Sequence, residues 1–412
     1  MFLSARWNEK ERNEVKLDLN YPPATRGKIV VWSLIASFPF PGTAWHRLQF
    51  LAGLRRLGFD VWYIEETDIT VMNPSNLWAS EDYMPNVEYL ARLMELIGMG
   101  DRWVFRPPGQ FNICLGSLDL HGMYQLYRDA DLVINHTGAQ VIRPEHRQIK
   151  CLAYIETDPV LNQIEVVSGN QSIINQLDAH NLLFTYGSNI GTNTCTIPVG
   201  TYKWFHTRPA ICIDWWSNWS QVESAEALTT IATWKHFGKQ SNLNGRKLRW
   251  TKRDEFLRFI NVAKNSKIPL ELCIGNINAF DLELLKRNGW RIKAAKNISN
   301  ISQYRDYIQK SLGEFTVSKE QYVYSNSGWF SDRSATFLAS GRPVITQDTG
   351  FGNSLPTGEG LFSFSNEEEA LAAIDHVASD YQHHSNAALE IAHEYFSSER
   401  VLRDMLSTIG LL

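Results

Sequence analysis

Apolar runs and helical spacings alternate along most of the chain. The first run, Lys-Ile-Val-Val-Trp-Ser-Leu at 28–34, follows a glycine and precedes a Pro/Gly loop at 38–43. A short β-rich apolar run of this kind predicts a buried strand. Trp45, Leu48, Leu51, Ala52, Leu54 and Leu57 then recur at helical spacing up to Gly58, a glycine placed to stop a helix, and 61–64 predicts the next strand. Strand, loop, helix and strand in that order make a βαβ unit, whose ligands sit at the C-terminal strand ends. A helix over 84–98 and strands over 131–135, 151–156 and 182–186 continue the pattern, and two of these strands run into polar endings, His136-Thr-Gly138 and Thr157-Asp-Pro159.

Periodicity lapses at Ile197-Pro-Val-Gly200 and over 202–209, where Pro, Gly and aromatic residues take over. This predicts a crossing between two domains near 200, with 200–209 as a hinge. Beyond it the pattern predicts a strand at 210–213, a helix at 252–262, a strand at 270–274 and a helix at 302–312. A strand at 322–324, a helix at 332–340 closed by Gly341 and a strand at 343–345 read as another βαβ unit, followed by helices at 366–379 and 384–410. The expectation is an α/β chain of two Rossmann-like domains, 1–200 and 201–383, with 384–412 packing back towards the first.

Composition narrows the function classes. In 412 residues, 44% are hydrophobic and 20% charged, which suits a soluble globular protein and excludes a low-complexity chain. Forty Lys+Arg against forty-four Asp+Glu give a net charge of −4, leaving no positive excess to hold a nucleic-acid backbone. No apolar run approaches the roughly 20 residues of a membrane span, and the polar leader of MFLSARWNEKERNEVK lacks a signal-peptide pattern. Cys114, Cys151, Cys195, Cys212 and Cys273 are odd in number and widely spaced, so they read as reduced thiols of a cytoplasmic protein rather than a disulfide framework or a metal knuckle.

The stretch 322–345 concentrates the candidate chemistry. A small-residue turn at Ser327 and Gly328 lets backbone approach a ligand, and Ser331 or Asp332 caps a helix whose free N–H groups suit a diphosphate. Ahead of it, Glu314 offers a carboxylate to ribose hydroxyls, or a partner to Lys310 four residues earlier, and Lys319 offers a charge to phosphate. Lys252 beside Arg249 and Arg253 is a second cationic candidate or part of a solvated basic face. Asp158 reads as a general base at a strand end or as an Asp-Pro turn, and His46 as a functional or a packing histidine. Among fourteen Trp, including Trp215, Trp216 and Trp219, Trp329 is the one nominated to stack on a sugar. His383 and His384 have no carboxylate or cysteine at ligand spacing and read as solvated.

On these residues the chain resembles the GT-B glycosyltransferases, in particular a family 4-like bacterial branch. Leu338-Ala-Ser-Gly-Arg-Pro-Val-Ile345 matches the second half of their donor-site pattern. Pro41-Gly-Thr-Ala-Trp-His46 ahead of Gly58 has the spacing of their G-G-x-x-x-H element, and Arg249-Trp-Thr-Lys252 precedes a helix as their diphosphate-binding Arg and Lys do. The two glutamates of the retaining members would fall on Gly328 and Thr336, with Glu314 or Asp332 as the available substitutes.

The resemblance implies two Rossmann-like domains facing across a cleft. Its implied activity is transfer of a hexose from a nucleoside-diphosphate sugar, UDP, GDP or dTDP linked, to an acceptor hydroxyl in bacterial polysaccharide or glycoconjugate synthesis. It implies no metal and no other cofactor. Lys252, Lys319, Ser331 and Arg333 would hold the diphosphate, Glu314 the ribose or donor sugar, and Ser327, Gly328, Trp329, Phe330 and Ser334 would complete the donor side. Gly42, Thr43, His46 and Asp158 would serve the acceptor, a sugar, lipid-linked or small molecule, and proton transfer; peripheral membrane contact is compatible with this reading. Two rivals stand beside it: an epimerase-like nucleotide-sugar enzyme, and a catalytically silent nucleotide-sugar-binding partner subunit, motivated by the missing glutamate pair.

Overall fold

The computed structural model describes residues 15, 17–217, 225–235, 240–243 and 245–412; the leader up to residue 14 and Trp219 lie outside the described residues. Contacts divide the chain into two compact units. The first comprises Met1–Thr157, Gln171–Thr185 and Ser398–Leu412, and the second Asp158–Asn170 and Tyr186–Ser397. The Pro/Gly stretch that the sequence marks as a crossing therefore lies inside the second unit and includes the short strand Trp204–His206, because a break in periodicity reports local geometry and the partition is decided by long-range packing.

The sheet of the first unit runs, in spatial order, Leu182–Thr185, Leu152–Glu156, Leu132–His136, Lys28–Trp32, Asp60–Glu65, Trp103–Phe105 and Leu115–Gly116. All neighbours are parallel except the last pair. Val30, Trp32, Ile64, Val104 and Val133 fill one core cluster with Met123 and Tyr127. The helix Pro41–Arg56 carries the buried Leu48, Leu51 and Leu54 and ends before Gly58, whose φ of +85° confirms the expected glycine stop. The helix Ser398–Ile409 lies against it at Gly53, where a Cβ would come within 2.6 Å of Leu402 and 2.8 Å of Ser398, so only glycine permits the approach.

The second unit has a six-stranded parallel sheet in the order Arg291–Ala294, Leu270–Gly275, Leu228–Thr233, Gly313–Thr316, Val344–Gln347 and Leu361–Phe364. Its core holds Trp234, Phe256, Trp290, Phe315 and Phe364, with the last two rings stacked at 5.1 Å.

Four expectations change. The strand expected at 322–324 is the helix Glu320–Ser325, and the strand of that βαβ unit is Gly313–Thr316, with Glu314 inside it. Tyr-Val-Tyr has high β-propensity, but packing buries Tyr322 and exposes Tyr324, and tertiary context overrides propensity. At 210–213 the residues are buried but form only an isolated bridge from Ile211 to Ser397. The helix expected at 252–262 is two short ones, Arg253–Arg258 and Val262–Asn265. The expected final helix is Tyr381–Phe396 and Ser398–Ile409, separated by the extended Ser397 that pairs with Ile211.

Candidate functional site

In the second unit, Glu314 and Thr316 lie two residues apart on the strand Gly313–Thr316 and so point to one face of the sheet. Both are buried, beside Thr230 of the neighbouring strand, whose hydroxyl reaches Glu314 Oε1 at 3.1 Å and Thr316 Oγ1 at 3.2 Å. Arg333, in the first turn of the helix Asp332–Ala339, closes this group from above. Its Nε donates to Glu314 Oε1, its Nη1 to the Ile231 carbonyl at 3.0 Å and its Nη2 to Thr316 Oγ1 at 3.1 Å. Glu314 thus pairs with Arg333, while Lys310 pairs with Asp306.

Lys252 is buried with them, its Nζ 3.3 Å from Thr316 Oγ1. Burial and the adjacent Arg333 guanidinium hold its ammonium well below the usual lysine range. The solvated-face reading fits Arg249 instead, which is 58% exposed and bound to Asp254 at 2.6 Å. Among the described residues, Glu314 Oε2, fully buried, has no hydrogen-bond partner. An orphaned buried carboxylate oxygen costs about 1–3 kcal/mol and is a ready acceptor for a ligand hydroxyl.

Lys319 follows the same strand. Its Nζ lies 2.8 Å from Asp158 Oδ1, 3.3 Å from the Tyr322 hydroxyl and 3.9 Å from the centroid of the Trp250 ring. Trp329 stacks on Tyr322 at 4.4 Å, so an aromatic wall of Trp250, Tyr322 and Trp329 stands beside the ammonium. Asp158, expected with the first domain, belongs to the second unit, and its carboxylate is held by Lys319 and Tyr322.

The turn before the helix Asp332–Ala339 is packed differently from its sequence reading. Gly328 has φ +72°, and a Cβ there would sit 2.3 Å from Ser188 Oγ and 2.8 Å from the Asn189 nitrogen. Its N–H donates to the Thr349 carbonyl at 2.7 Å, and Ser327 O accepts from Asn189 N–H at 3.0 Å. The close approach that demands glycine is therefore to the chain's own 187–189 segment rather than to a ligand. Phe330 packs between Phe351 and Phe396, and Ser334 is buried with its hydroxyl unpartnered among the described residues. Ser331 takes the N-cap position through its backbone, with no side-chain cap bond.

In the first unit, Gly42 and Thr43 belong to the first turn of the helix Pro41–Arg56 rather than to a loop, because Pro41 starts the helix at its first position. His46 is buried on that helix, its ring 4.9 Å from that of His136. Arg47 lies 3.4 Å from His46 Nδ1 and donates to Ser33 Oγ at 3.2 Å; that hydroxyl is 3.4 Å from His136 Nδ1. Burial, with His46 and Arg47 nearby, pushes His136 well below the usual histidine range, and its Nε2 has no partner among the described residues.

The loop preceding this helix spends its amides on the fold itself. Ile35 N–H donates to the Tyr63 hydroxyl at 2.9 Å, and Ala36 N–H and Ser37 N–H to the Glu65 carboxylate at 2.8 and 2.6 Å. Three successive amides, one spent on a phenol and two on a resident carboxylate, leave no anion nest for phosphate at this strand end.

Sequence reading missed Thr230, Thr316, Tyr322, Trp250, Arg47 and His136 as members of these groups. Only His136, at a polar strand ending, carried a signal; the others are ordinary residues brought together by the sheet register, by the helix found where a strand was expected at 322–324, and by packing. The one group among the described residues with three possible metal ligands is Glu66, Glu145 and His146, and Arg106 and Arg143 already bond Glu66. Guanidinium groups in that position satisfy the carboxylate and do not suit a cation site.

Two units, each built on a parallel sheet of Rossmann type, define the GT-B fold of glycosyltransferases. Solved structures with this fold align over nearly the whole chain. They include HepE of Anabaena in complex with UDP-glucose, with TM-score 0.57, 12% identity, and coverage of 94% of this chain and 100% of that one. The sucrose-phosphate synthase from Thermosynechococcus elongatus aligns with TM-score 0.54 and 10% identity over 93% of this chain and 98% of its own. An alpha-glucosyltransferase in complex with UDP and a 13-mer DNA aligns with TM-score 0.54 and 11% identity over 94% and 100%. No protein-family model and no curated protein sequence matches the chain.

Proposed function

We propose that the chain is a glycosyltransferase that moves a hexose from a nucleoside-diphosphate sugar to an acceptor hydroxyl. The observation that carries this reading is the buried group in the second unit. Among the described residues, the Lys252 ammonium has only a threonine hydroxyl at hydrogen-bond distance, Lys319 stands beside an aromatic wall, and Glu314 Oε2 awaits a donor. Cations for a diphosphate, a ring platform and a carboxylate for sugar or ribose hydroxyls are the groups a nucleotide sugar needs. As the glycosidic bond breaks, charge develops on the leaving diphosphate. Lys252, Lys319 and the N-terminal turn of the helix Asp332–Ala339 would stabilise it, with Arg333 fixing Glu314 and Thr316 in place. The assignment of phosphate binding to the second unit is supported by the first unit's loop at 35–37, whose amides are already used.

Gly42, Thr43 and His46, with His136 as a new member, are proposed for the acceptor side. Asp158 reads less well as the base, because its carboxylate must release an ammonium and a phenol before it takes a proton. The net charge of −4 favours a saccharide or other small acceptor over DNA, and a role in bacterial polysaccharide or glycoconjugate synthesis is proposed on the resemblance to the GT-B glycosyltransferases alone. A cytoplasmic location is proposed from the five free thiols; no helix among the described residues is long and apolar enough to cross a membrane.

Thermal-shift and calorimetric titration with UDP, GDP, dTDP and ADP sugars tests the reading, since a ligand of the native state raises the melting temperature. We expect one nucleotide series to bind and UDP-glucose to be the first donor worth assaying, with nucleoside diphosphate released when acceptor is added. Binding of none of the four would overturn the donor site. The silent-subunit reading has its own support: the family's glutamate positions fall on Gly328, wedged against 188–189, and on the buried Thr336, whose hydroxyl bonds the Arg333 carbonyl at 2.6 Å. Tight binding without turnover on any acceptor would favour it.

A further inference from the structure

The pairing of Asp158 with Lys319 has an asymmetry that bears on how a ligand enters. The Lys319 side chain is 12% exposed and the Asp158 side chain 46%. The ammonium is the enclosed partner, resting on Trp250 and near Tyr322, and the carboxylate meets it from the open side. One oxygen of Asp158 accepts from both Lys319 Nζ and the Tyr322 hydroxyl.

The turn that delivers this carboxylate is under backbone strain. Val160, two residues on, is fully buried with φ +89° and ψ −46°, a region that a β-branched residue adopts only when its surroundings impose it. It is imposed here by the helix Leu161–Val167, through Val160 N–H to Gln163 Oε1 at 2.7 Å and Ile164 N–H to Val160 O at 3.1 Å. Pro159 between them restricts the turn further.

Charge pairing across the group explains why such a turn would be kept. Three cations converge on this region: Arg333 is neutralised by Glu314, Lys252 rests on Thr316, and Lys319 is neutralised by Asp158. A diphosphate brought to Lys252 and Lys319 would meet the Asp158 carboxylate as a like charge at the same ammonium, and one of the two anions must leave. The half-exposed carboxylate is the one with water to move into.

Resting on the donor-site reading above, we propose that Asp158 is a resident counter-ion of the anion site. It holds Lys319 and Tyr322 in the ligand-free chain and cedes Lys319 to the diphosphate of the donor, so that it sets donor affinity rather than taking the acceptor's proton.

The test is calorimetric titration of inorganic pyrophosphate and of UDP into the full-length protein, its D158N, D158S and K319A variants, and the D158N/K319A double variant. Asn keeps the acceptor for Tyr322 and removes the charge; Ser is the second variant should Asn perturb the turn. Expected is roughly three- to fivefold tighter binding of both ligands by D158N and D158S, the scale of a partly exposed ion pair. Weaker binding by K319A, and no further effect of D158N in the K319A background, complete the expected pattern. Unchanged or weaker binding by both Asp158 variants, with K319A still weakened, would overturn the counter-ion role and leave the donor site standing. Failure of the unsubstituted protein to bind either ligand would overturn both.

Discussion

Arg333 and Glu314 form an ion pair sealed into the second unit, with side-chain exposures of 11% and 0%. The guanidinium reaches three acceptors on two strands, so the helix Asp332–Ala339 is tied to the sheet at the point where Lys252 enters.

Removing one member should therefore cost more than removing both. E314A leaves a buried guanidinium uncompensated, and a loss of about 3–5 kcal/mol is expected. E314L/R333L should lose much less than the sum of the single variants. Urea unfolding of the two singles and the double measures the coupling, and additive losses would contradict the pair as described.

Lys252 makes the opposite prediction for stability. Burial depresses its folded-state pKa below the unfolded value, so between those two values the unfolded chain binds more protons at this position and stability rises with pH up to the unfolded lysine value near 10.4. K252M should stabilise the ligand-free protein at pH 7 by about 1–3 kcal/mol and flatten that rise. It should also weaken UDP binding by about tenfold or more, as loss of a charged hydrogen bond does. Unfolding curves at several pH values, together with UDP titration, separate the two effects.

Gly328 should tolerate no side chain. G328A forces a Cβ against Ser188 and Asn189 at positive φ, and a loss of about 1–3 kcal/mol is expected. A melting temperature equal to that of the unsubstituted protein would show that the 187–189 segment yields easily.

Acid should unfold the first unit through its histidines. Burial lowers His136 well below the usual range and His180 to about 4. The unfolded chain protonates both near pH 6.5, whereas the folded chain does so only at lower pH. Stability should therefore fall as pH drops from about 7 towards 4, by up to about 1.4 kcal/mol per pH unit for each histidine. H136N/H180N should lower stability at pH 7.5 yet flatten the slope, and urea midpoints across this range test it.

Much of the scaffold was legible in the chain. Lys28–Trp32, Pro41–Arg56 and Asp60–Glu65 announce themselves because apolar runs, helical spacing and Gly58 agree with one another. Asp332–Ala339 and Val344–Gln347 do so for the same reason. The strand Gly313–Thr316 was not legible, since a glutamate buried inside a strand contradicts local pattern and is stable only with Arg333 beside it. The helix Glu320–Ser325 hid behind the β-propensity of Tyr-Val-Tyr.

The alternation of strands and helices over most of the chain and the Rossmann character of both units were determined by the sequence alone, as was the choice of Lys252, Glu314, Lys319 and Arg333 as candidate charged residues, because periodicity and turn chemistry are local. Tertiary structure decided which of them meet. It joined Glu314 to Arg333 rather than Lys310, gave Lys319 to Asp158, and turned Gly328 towards the chain instead of a ligand. Charge pairing and close packing depend on distances between segments far apart in the chain, and no spacing along the chain encodes those distances.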